Sequence, residues 1–278
     1  ACYEAGYYLA VAMSRPLIVR EMAKIAEENG CQYVAHGGVR TGNDRARFET
    51  AVADLDPTLD VIFPPAEWNL ASRSEEEEYA KRFQLRYRKR DRAGYYTLDE
   101  NMWGRTVRWE GLDDGWLAPP PEAYYLTVDP REAPDEPTEV TIRFAAGVPV
   151  ALDGEKLEPV ALIQRMNQIG GRHGVGRTDI VENPLSGVKK RQTYEAPAAH
   201  ILITAHQALE DVVLPKEILH FQKPLSQKYS ELIYEGFWFD DIRLALDDFF
   251  LRIQKRVVGE VRVRLFKGSS LVTGRRAS

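Results

Sequence analysis

The sequence predicts two fold classes in succession, an α/β unit over residues 1–93 and a mixed α+β unit over residues 94–278. Three observations predict this. Up to about residue 90, stretches with helical apolar spacing alternate with short apolar runs. A glycine-rich loop, His36 to Asp44, joins one such run to a helix start, as in parallel sheets whose ligands sit at strand carboxyl ends. Beyond residue 94, proline-rich connections and two hairpin patterns replace that alternation.

Taken in order, Pro16 fits the first turn of a helix, where its missing N–H costs nothing. Ile18, Met22, Ile25 and Ala26 then form one apolar stripe, and Gly30 stops it. Cys31 to Ala35 reads as a short buried strand. Asn43 is placed to cap a second helix, carrying Arg47, Phe48, Ala51 and Val52 to a stop near Pro57. Leu59 to Phe63 reads as a second buried strand. In the later unit, Thr138 to Phe144 and Val148 to Leu152 form a hairpin pattern around Ala145-Ala146-Gly147. Helices are expected at about 158–169, 198–210 and 238–256. The last puts Ile242, Leu246, Phe249, Phe250 and Ile253 on one face, as core. Glu260 to Phe266 and Leu271 to Gly274 form a second hairpin pattern.

Composition narrows the function. The 278 residues are 44% hydrophobic and 28% charged, enough for one large core or two moderate ones. No apolar run approaches the roughly eighteen residues that cross a bilayer. No basic leader precedes the first apolar stretch, so a cytoplasmic protein is expected, with no membrane partner. Cys2 and Cys31 form no CxxC and suggest neither a disulfide framework nor structural zinc. The net charge of −5 argues against nucleic acid as a partner. Residues 82–92, RFQLRYRKRDR, are locally basic but follow the acidic run Glu75 to Glu78, and read as a self-compensating surface.

Two segments carry candidate chemistry. In HGGVRTGND, residues 36–44, glycines let backbone approach a ligand, and a following helix start favours anions. A tight turn explains the same glycines, and no GK[ST] makes it a Walker loop. GVGRTDIVEN, residues 174–183, reads as a turn entering a strand whose Asp179 and Glu182 either face water or serve a site. With Lys189 to Pro197 close behind, the residues support a polar site for a small anionic or zwitterionic ligand. The five histidines show no metal-ligand spacing, and His206 reads as a helix or core histidine.

Read together, SRPLIVREMAKIAEENG, VAHG with GND and RFE, LDENMWGR, APDEP, GVPVALDG, GVGRTDIVEN, TYEAP, and FWFDDIRLALDDF followed by QKRVVGEVRVRLFKG resemble the argininosuccinate synthase family. The resemblance covers nearly the whole chain. It implies that residues 1–93 are the rear part of an adenine-nucleotide alpha-hydrolase-like parallel-sheet domain. Residues 94–278 would be the synthetase domain that binds citrulline and aspartate. It implies a carbon–nitrogen ligase in arginine biosynthesis that uses ATP with Mg2+. The ureido oxygen of L-citrulline attacks the α-phosphate, and the amine of L-aspartate then displaces AMP.

Carried over position by position, the resemblance places citrulline contacts on Tyr7, Asn43, Arg47, Thr97, Thr106, Glu182 and Tyr194. It places aspartate contacts on position 39 (Val39 here), Asn43 and Asp44, an ATP contact on Gly37, and no metal ligand. It assigns no covalent catalyst. Thr97 and Thr106 stand in for serines. Val39, Arg40 and Thr41 replace a threonine, a glycine and a lysine, and Arg108 stands where glutamate is common. The changes at 39–41 raise one alternative, a different amine nucleophile; the lack of a counterpart to the family's ATP loop raises another, amino-acid binding without catalysis. The family's SGGLDT-type ATP loop and C-terminal oligomerisation tail have no counterpart in these residues. A homo-oligomer, tetrameric in the family, is expected where those ends are present.

Overall fold

The computed structural model describes residues 1–4, 6–38, 43–68, 73–86 and 95–278. The chain opens with helix α1 (Ala10–Glu28), strand β1 (Tyr33–Ala35), helix α2 (Asp44–Leu55) and strand β2 (Asp60–Ile62). β1 and β2 pair in parallel, Val34 opposite Val61, as the α/β grammar requires. Val19, Ala26, Val34, Phe48, Ala51, Val52 and Leu59 form the core of this unit. Two expectations need correcting. Pro16 lies inside α1 rather than at its start, because the helix begins six residues earlier on the buried Ala10, Val11 and Ala12. The two strands are also less buried than their apolar runs imply: Tyr33 and Ile62 are exposed, and burial falls on Val34, Leu59 and Phe63.

Helices α3 (Pro64–Glu67) and α4 (Arg73–Arg82) follow. Residues 87–94, which include most of the basic segment and the expected boundary at 93/94, lie outside the described residues. Strands β3 (Tyr95–Asn101) and β4 (Gly104–Trp109) come next, then a short 3-10 turn at Pro121–Ala123. The first hairpin forms as expected from β5 (Thr138–Ala145) and β6 (Val148–Leu152), and β7 (Glu155–Lys156) extends it. Its turn puts Ala146 and Gly147 at φ +49° and +79°, the left-handed pair that matches strand twist.

Helix α5 (Pro159–Arg172), β8 (Arg177–Glu182), β9 (Lys190–Glu195) and helices α6 (Pro197–Val213), α7 (Lys216–Glu235) and α8 (Asp241–Gln254) lead to the second hairpin. That hairpin is β10 (Gly259–Phe266) and β11 (Ser269–Ala277). A five-stranded antiparallel sheet in the order β11-β10-β5-β6-β7 packs its buried face on α5 and α6. Val140, Ile142, Phe144, Leu162, Met166, Ile201, Leu209, Val261 and Val263 are nearly inaccessible there. The alternation of buried and exposed residues along β5 and β10 produces this one-sided packing. The α8 stripe is only partly core: Ile253 is buried, but Ile242 is 56% exposed.

A four-stranded antiparallel sheet, β3-β4-β9-β8, carries Thr97, Thr106, Glu182 and Tyr194. No helix among the described residues is long and apolar enough to cross a membrane.

Candidate functional site

The site is assembled where the chain's first residues, α1, α2, α7 and the four-stranded sheet meet. Tyr7 is 3% exposed, and its hydroxyl accepts from the N–H groups of Val11 and Ala12, each at 3.1 Å. Those are donors of the first turn of α1 that have no partner inside the helix, so a side chain upstream of the helix does the capping. The chain reverses at Leu9, fully buried at φ +60°, a conformation that a bulky residue holds only under tertiary constraint. The constraint is visible. Asn101 Nδ2 donates to the Ala10 carbonyl at 2.8 Å, Trp103 Nε1 to the Tyr8 carbonyl at 3.0 Å, and Thr178 Oγ1 to the Gly6 carbonyl at 3.0 Å. The four-stranded sheet therefore fixes the Tyr7 segment from both edges.

Register across that sheet aligns Thr106 on β4, Tyr194 on β9 and Thr178 on β8 in one row. Tyr7 stacks on Tyr194 with ring centroids 4.5 Å apart. Tyr194 donates its hydroxyl proton to Glu182 Oε1, and Tyr234 donates to Glu182 Oε2 at 2.9 Å. Glu182 itself is 4% exposed. Burial pushes its carboxyl above the usual range, opposed by the two tyrosine donors and the nearby Arg47 charge. Burial likewise raises the tyrosines: Tyr7 to about 12, and Tyr194 and Tyr234 further, with the Glu182 charge adding to both. All three stay protonated at neutral pH, so they serve as neutral donors and walls rather than bases.

A second charged group lies at the start of α2. Asn43 occupies the N-cap position but makes no cap bond with its side chain. Its Nδ2 donates to the Tyr234 hydroxyl at 2.8 Å, and its Oδ1 accepts from Leu185 N at 3.2 Å. Arg47 is 5% exposed, donates through Nε to the Tyr234 carbonyl at 2.7 Å, and lies over the Tyr234 ring. Its Nη1 reaches Asp44 at 3.4 Å. Asp44 is gripped at both oxygens by Arg15, at 3.1 and 2.8 Å, and Arg15 also binds Asp99 at 2.9 Å. Burial pushes the Asp44 carboxyl up, but the Arg15 bonds and the Arg15 and Arg47 charges outweigh it and hold it below its usual range. Gly38, ahead of α2, sits beside Asp44. At the end of β1, His36 is stacked between Phe48 and Phe63, and Gly37 is exposed with open space on its side-chain face.

Of the residues expected from sequence, Tyr7, Asn43, Arg47, Glu182 and Tyr194 are joined directly or through Tyr234. Thr106 lies opposite Tyr194, and Asp44 adjoins Arg47. Thr97 lies on β3 opposite Val107, with its backbone alone described. Val39, with Arg40 and Thr41, lies outside the described residues. Glu182 does not face water; it is buried, whereas Asp179 pairs with Arg191 at 2.5 Å.

Sequence reading missed Tyr234, Arg15 and Asp99. Tyr234 had one available signal: a tyrosine among buried residues needs a hydrogen-bond partner for its hydroxyl. It sits on α7, which sequence reading also missed. The carboxylate of the TYEAP motif proves structural. Glu195 is fully buried and accepts from the N–H groups of Tyr125, Leu126 and Thr127, from Thr127 Oγ1 and from Arg105 Nη1.

A buried carboxylate ringed by tyrosines, with one arginine and an amide joined to it through Tyr234, suits the ammonium and carboxylate of an amino acid. Residues 1–86 match the family described as Arginosuccinate synthase N-terminal HUP domain, and residues 96–278 match Arginosuccinate synthase C-terminal domain. The chain belongs to the argininosuccinate synthase family. The argininosuccinate synthase of Symbiobacterium thermophilum is 50% identical over 275 residues, covering 99% of this chain and 68% of that protein. That of Halalkalibacterium halodurans is 47% identical over 277 residues, covering 100% of this chain and 67% of that protein. The Dictyoglomus thermophilum enzyme is 46% identical over 275 residues, 99% of this chain and 68% of its own length.

Proposed function

We propose that this chain carries the amino-acid site of an ATP-dependent ligase that condenses L-citrulline with L-aspartate, releasing AMP and diphosphate. The observation that carries the reading is Glu182. It is a carboxylate buried away from bulk water, held by two tyrosine hydroxyls, with Arg47 and Asn43 both bonded to Tyr234. In this reading Glu182 binds the citrulline ammonium. Arg47, with Nε and Nη1 engaged, offers Nη2 to its carboxylate. Tyr7 and Tyr194 wall the side chain, Thr97 and Thr106 supply hydroxyls, and Asn43 bridges to aspartate. Asp44, kept ionised by Arg15, holds the aspartate ammonium, and Val39 keeps the aspartate role that the family resemblance gives it.

Residues 1–93 act as part of the adenine-nucleotide domain and 94–278 as the synthetase domain. The open backbone at Gly37, at the carboxyl end of a parallel strand, fits close approach of ATP. Among the described residues no three His, Cys, Asp or Glu side chains converge as a metal cage. In this reading Mg2+ would accompany the ATP phosphates, where it neutralises charge. Positioning and fixed dipoles do the rest, without a covalent intermediate on the protein.

The test is titration of citrulline onto the purified chain, followed by ATP, Mg2+ and aspartate with assay of AMP. Saturable citrulline binding that is lost in Arg47→Ala supports the reading. A chain that binds no citrulline overturns it.

A further inference from the structure

Three side chains of the proposed citrulline site come from two elements: Asn43 stands at the N-cap position of α2 and Arg47 lies on it, and Glu182 ends β8. One residue of α7 touches all of them. The Tyr234 hydroxyl accepts from Asn43 Nδ2 at 2.8 Å and donates to Glu182 Oε2 at 2.9 Å, and its carbonyl accepts from Arg47 Nε at 2.7 Å. Its ring is sandwiched between Tyr3, stacked at 3.8 Å, and the Arg47 guanidinium at 5.0 Å. It is 1% exposed and near the end of its helix, and Gly236 two residues on packs directly on the Arg47 backbone. We infer that Tyr234 is a positioning residue of this site, setting the amide orientation of Asn43, the direction of Arg47 and the ionised state of Glu182. This rests on the citrulline reading above.

The chemistry runs in a fixed direction. Tyr234 has one proton. With Asn43 Nδ2 donating to its oxygen, that proton goes to Glu182, which must therefore be an acceptor. The same bond fixes Asn43 with Oδ1 toward Leu185 N. Tyr194 supplies the second donor to Glu182 from β9. The other charged or titratable groups that act on Glu182 are Arg47 of α2 and, in the N-terminal segment, Glu4 and the phenols of Tyr3 and Tyr7. Arg47 alone among these favours the carboxylate. Losing the Tyr234 hydroxyl removes one of two neutral donors that hold the anion in a buried place, so Glu182 keeps its proton to higher pH. A protonated Glu182 no longer attracts an ammonium.

The variant is Tyr234→Phe, which keeps the ring against Tyr3 and Arg47. Its control is Tyr229→Phe on the same helix, which loses a hydroxyl bonded to Asp247 at 2.6 Å, away from Glu182. Two readouts separate positioning from mere support. The first needs no ligand: the Glu182 carboxyl is followed by 13C resonance against pH, identified by its loss in Glu182→Gln. Its midpoint is expected to move up in Tyr234→Phe and to stay put in Tyr229→Phe. The second is citrulline affinity at neutral pH, expected to fall about ten- to a hundred-fold in Tyr234→Phe alone.

An unchanged midpoint overturns the inference, whether or not citrulline binds. A moved midpoint in a chain that binds no citrulline leaves Tyr234's control of Glu182 standing and overturns the citrulline reading instead. Equal losses of affinity in the two phenylalanine variants also overturn it, since the effect is then general loosening. If Tyr234→Phe loses its near-ultraviolet dichroism, 3-fluorotyrosine placed at position 234 keeps the test. A 19F resonance that does not follow the Glu182 titration overturns the coupling.

Discussion

Replacing Glu195 by glutamine tests whether the TYEAP carboxylate is structural rather than catalytic. Its side chain is fully buried and accepts from Leu126 N and Thr127 N at 2.9 Å each, from Thr127 Oγ1 at 2.7 Å, from Tyr125 N at 2.9 Å and from Arg105 Nη1 at 3.1 Å. Glutamine has one oxygen to offer. Placed where Oε1 was, it keeps the Leu126 and Thr127 bonds and turns an NH2 group toward Arg105 and Tyr125. The lost bond to a charged group costs about 1.5–3 kcal/mol and the orphaned N–H about 1–3 kcal/mol. Arg105 lies 3.5 Å from Glu100, which offsets part of this. The expected loss is roughly 3–5 kcal/mol. It is read as a lower urea midpoint and as faster amide exchange at Tyr125, Leu126 and Thr127. An unchanged midpoint with unchanged exchange at those three amides refutes the reasoning.

Three further outcomes are expected. Glu182 binds its proton more tightly in the fold than when unfolded, because burial outweighs its donors. Raising pH through the window between the two values therefore lowers the stability of the ligand-free chain while citrulline affinity rises. Urea midpoints and titrations across that window check this, and parallel rather than opposite trends contradict it. Gly236→Ala places a Cβ 2.7 Å from Arg47 Cα at a φ of +103°, so stability should fall by about 1–3 kcal/mol by urea denaturation, with weaker citrulline binding. Arg15→Lys loses the fork that holds both Asp44 oxygens and Asp99. It should cost roughly 1–2 kcal/mol at neutral pH by the same assay and raise the Asp44 titration midpoint.

Much of the scaffold was legible because it is local. The two hairpins, the stop at Gly30, the parallel pairing of β1 with β2 and the buried set Arg47, Phe48, Ala51 and Val52 all follow from spacing and turn residues. What escaped was set by distant contacts. The start of α1 depends on the Tyr7 hydroxyl and on a strained Leu9, neither of which is a helix-start signal, so Pro16 misled. Helix α7 carries an internal Pro224, which reads as a breaker but is tolerated in the structure. Asn43 looked like a cap because caps are the usual use of asparagine there. Its side chain instead meets Tyr234, 191 residues away. The site residues themselves were legible only through the ordered set of motifs. Spacing alone could not tell Glu182, which is buried with two phenol donors, from Glu195, which is buried with backbone donors.

The most direct measurement is calorimetric titration of L-citrulline onto the purified chain and onto Glu182→Gln at neutral pH. The expected result is saturable binding to the chain and an affinity about ten- to a hundred-fold weaker in the variant, from loss of the charge that meets the ammonium. Equal affinity in both, or no binding to either, contradicts an amino-acid site built on Glu182.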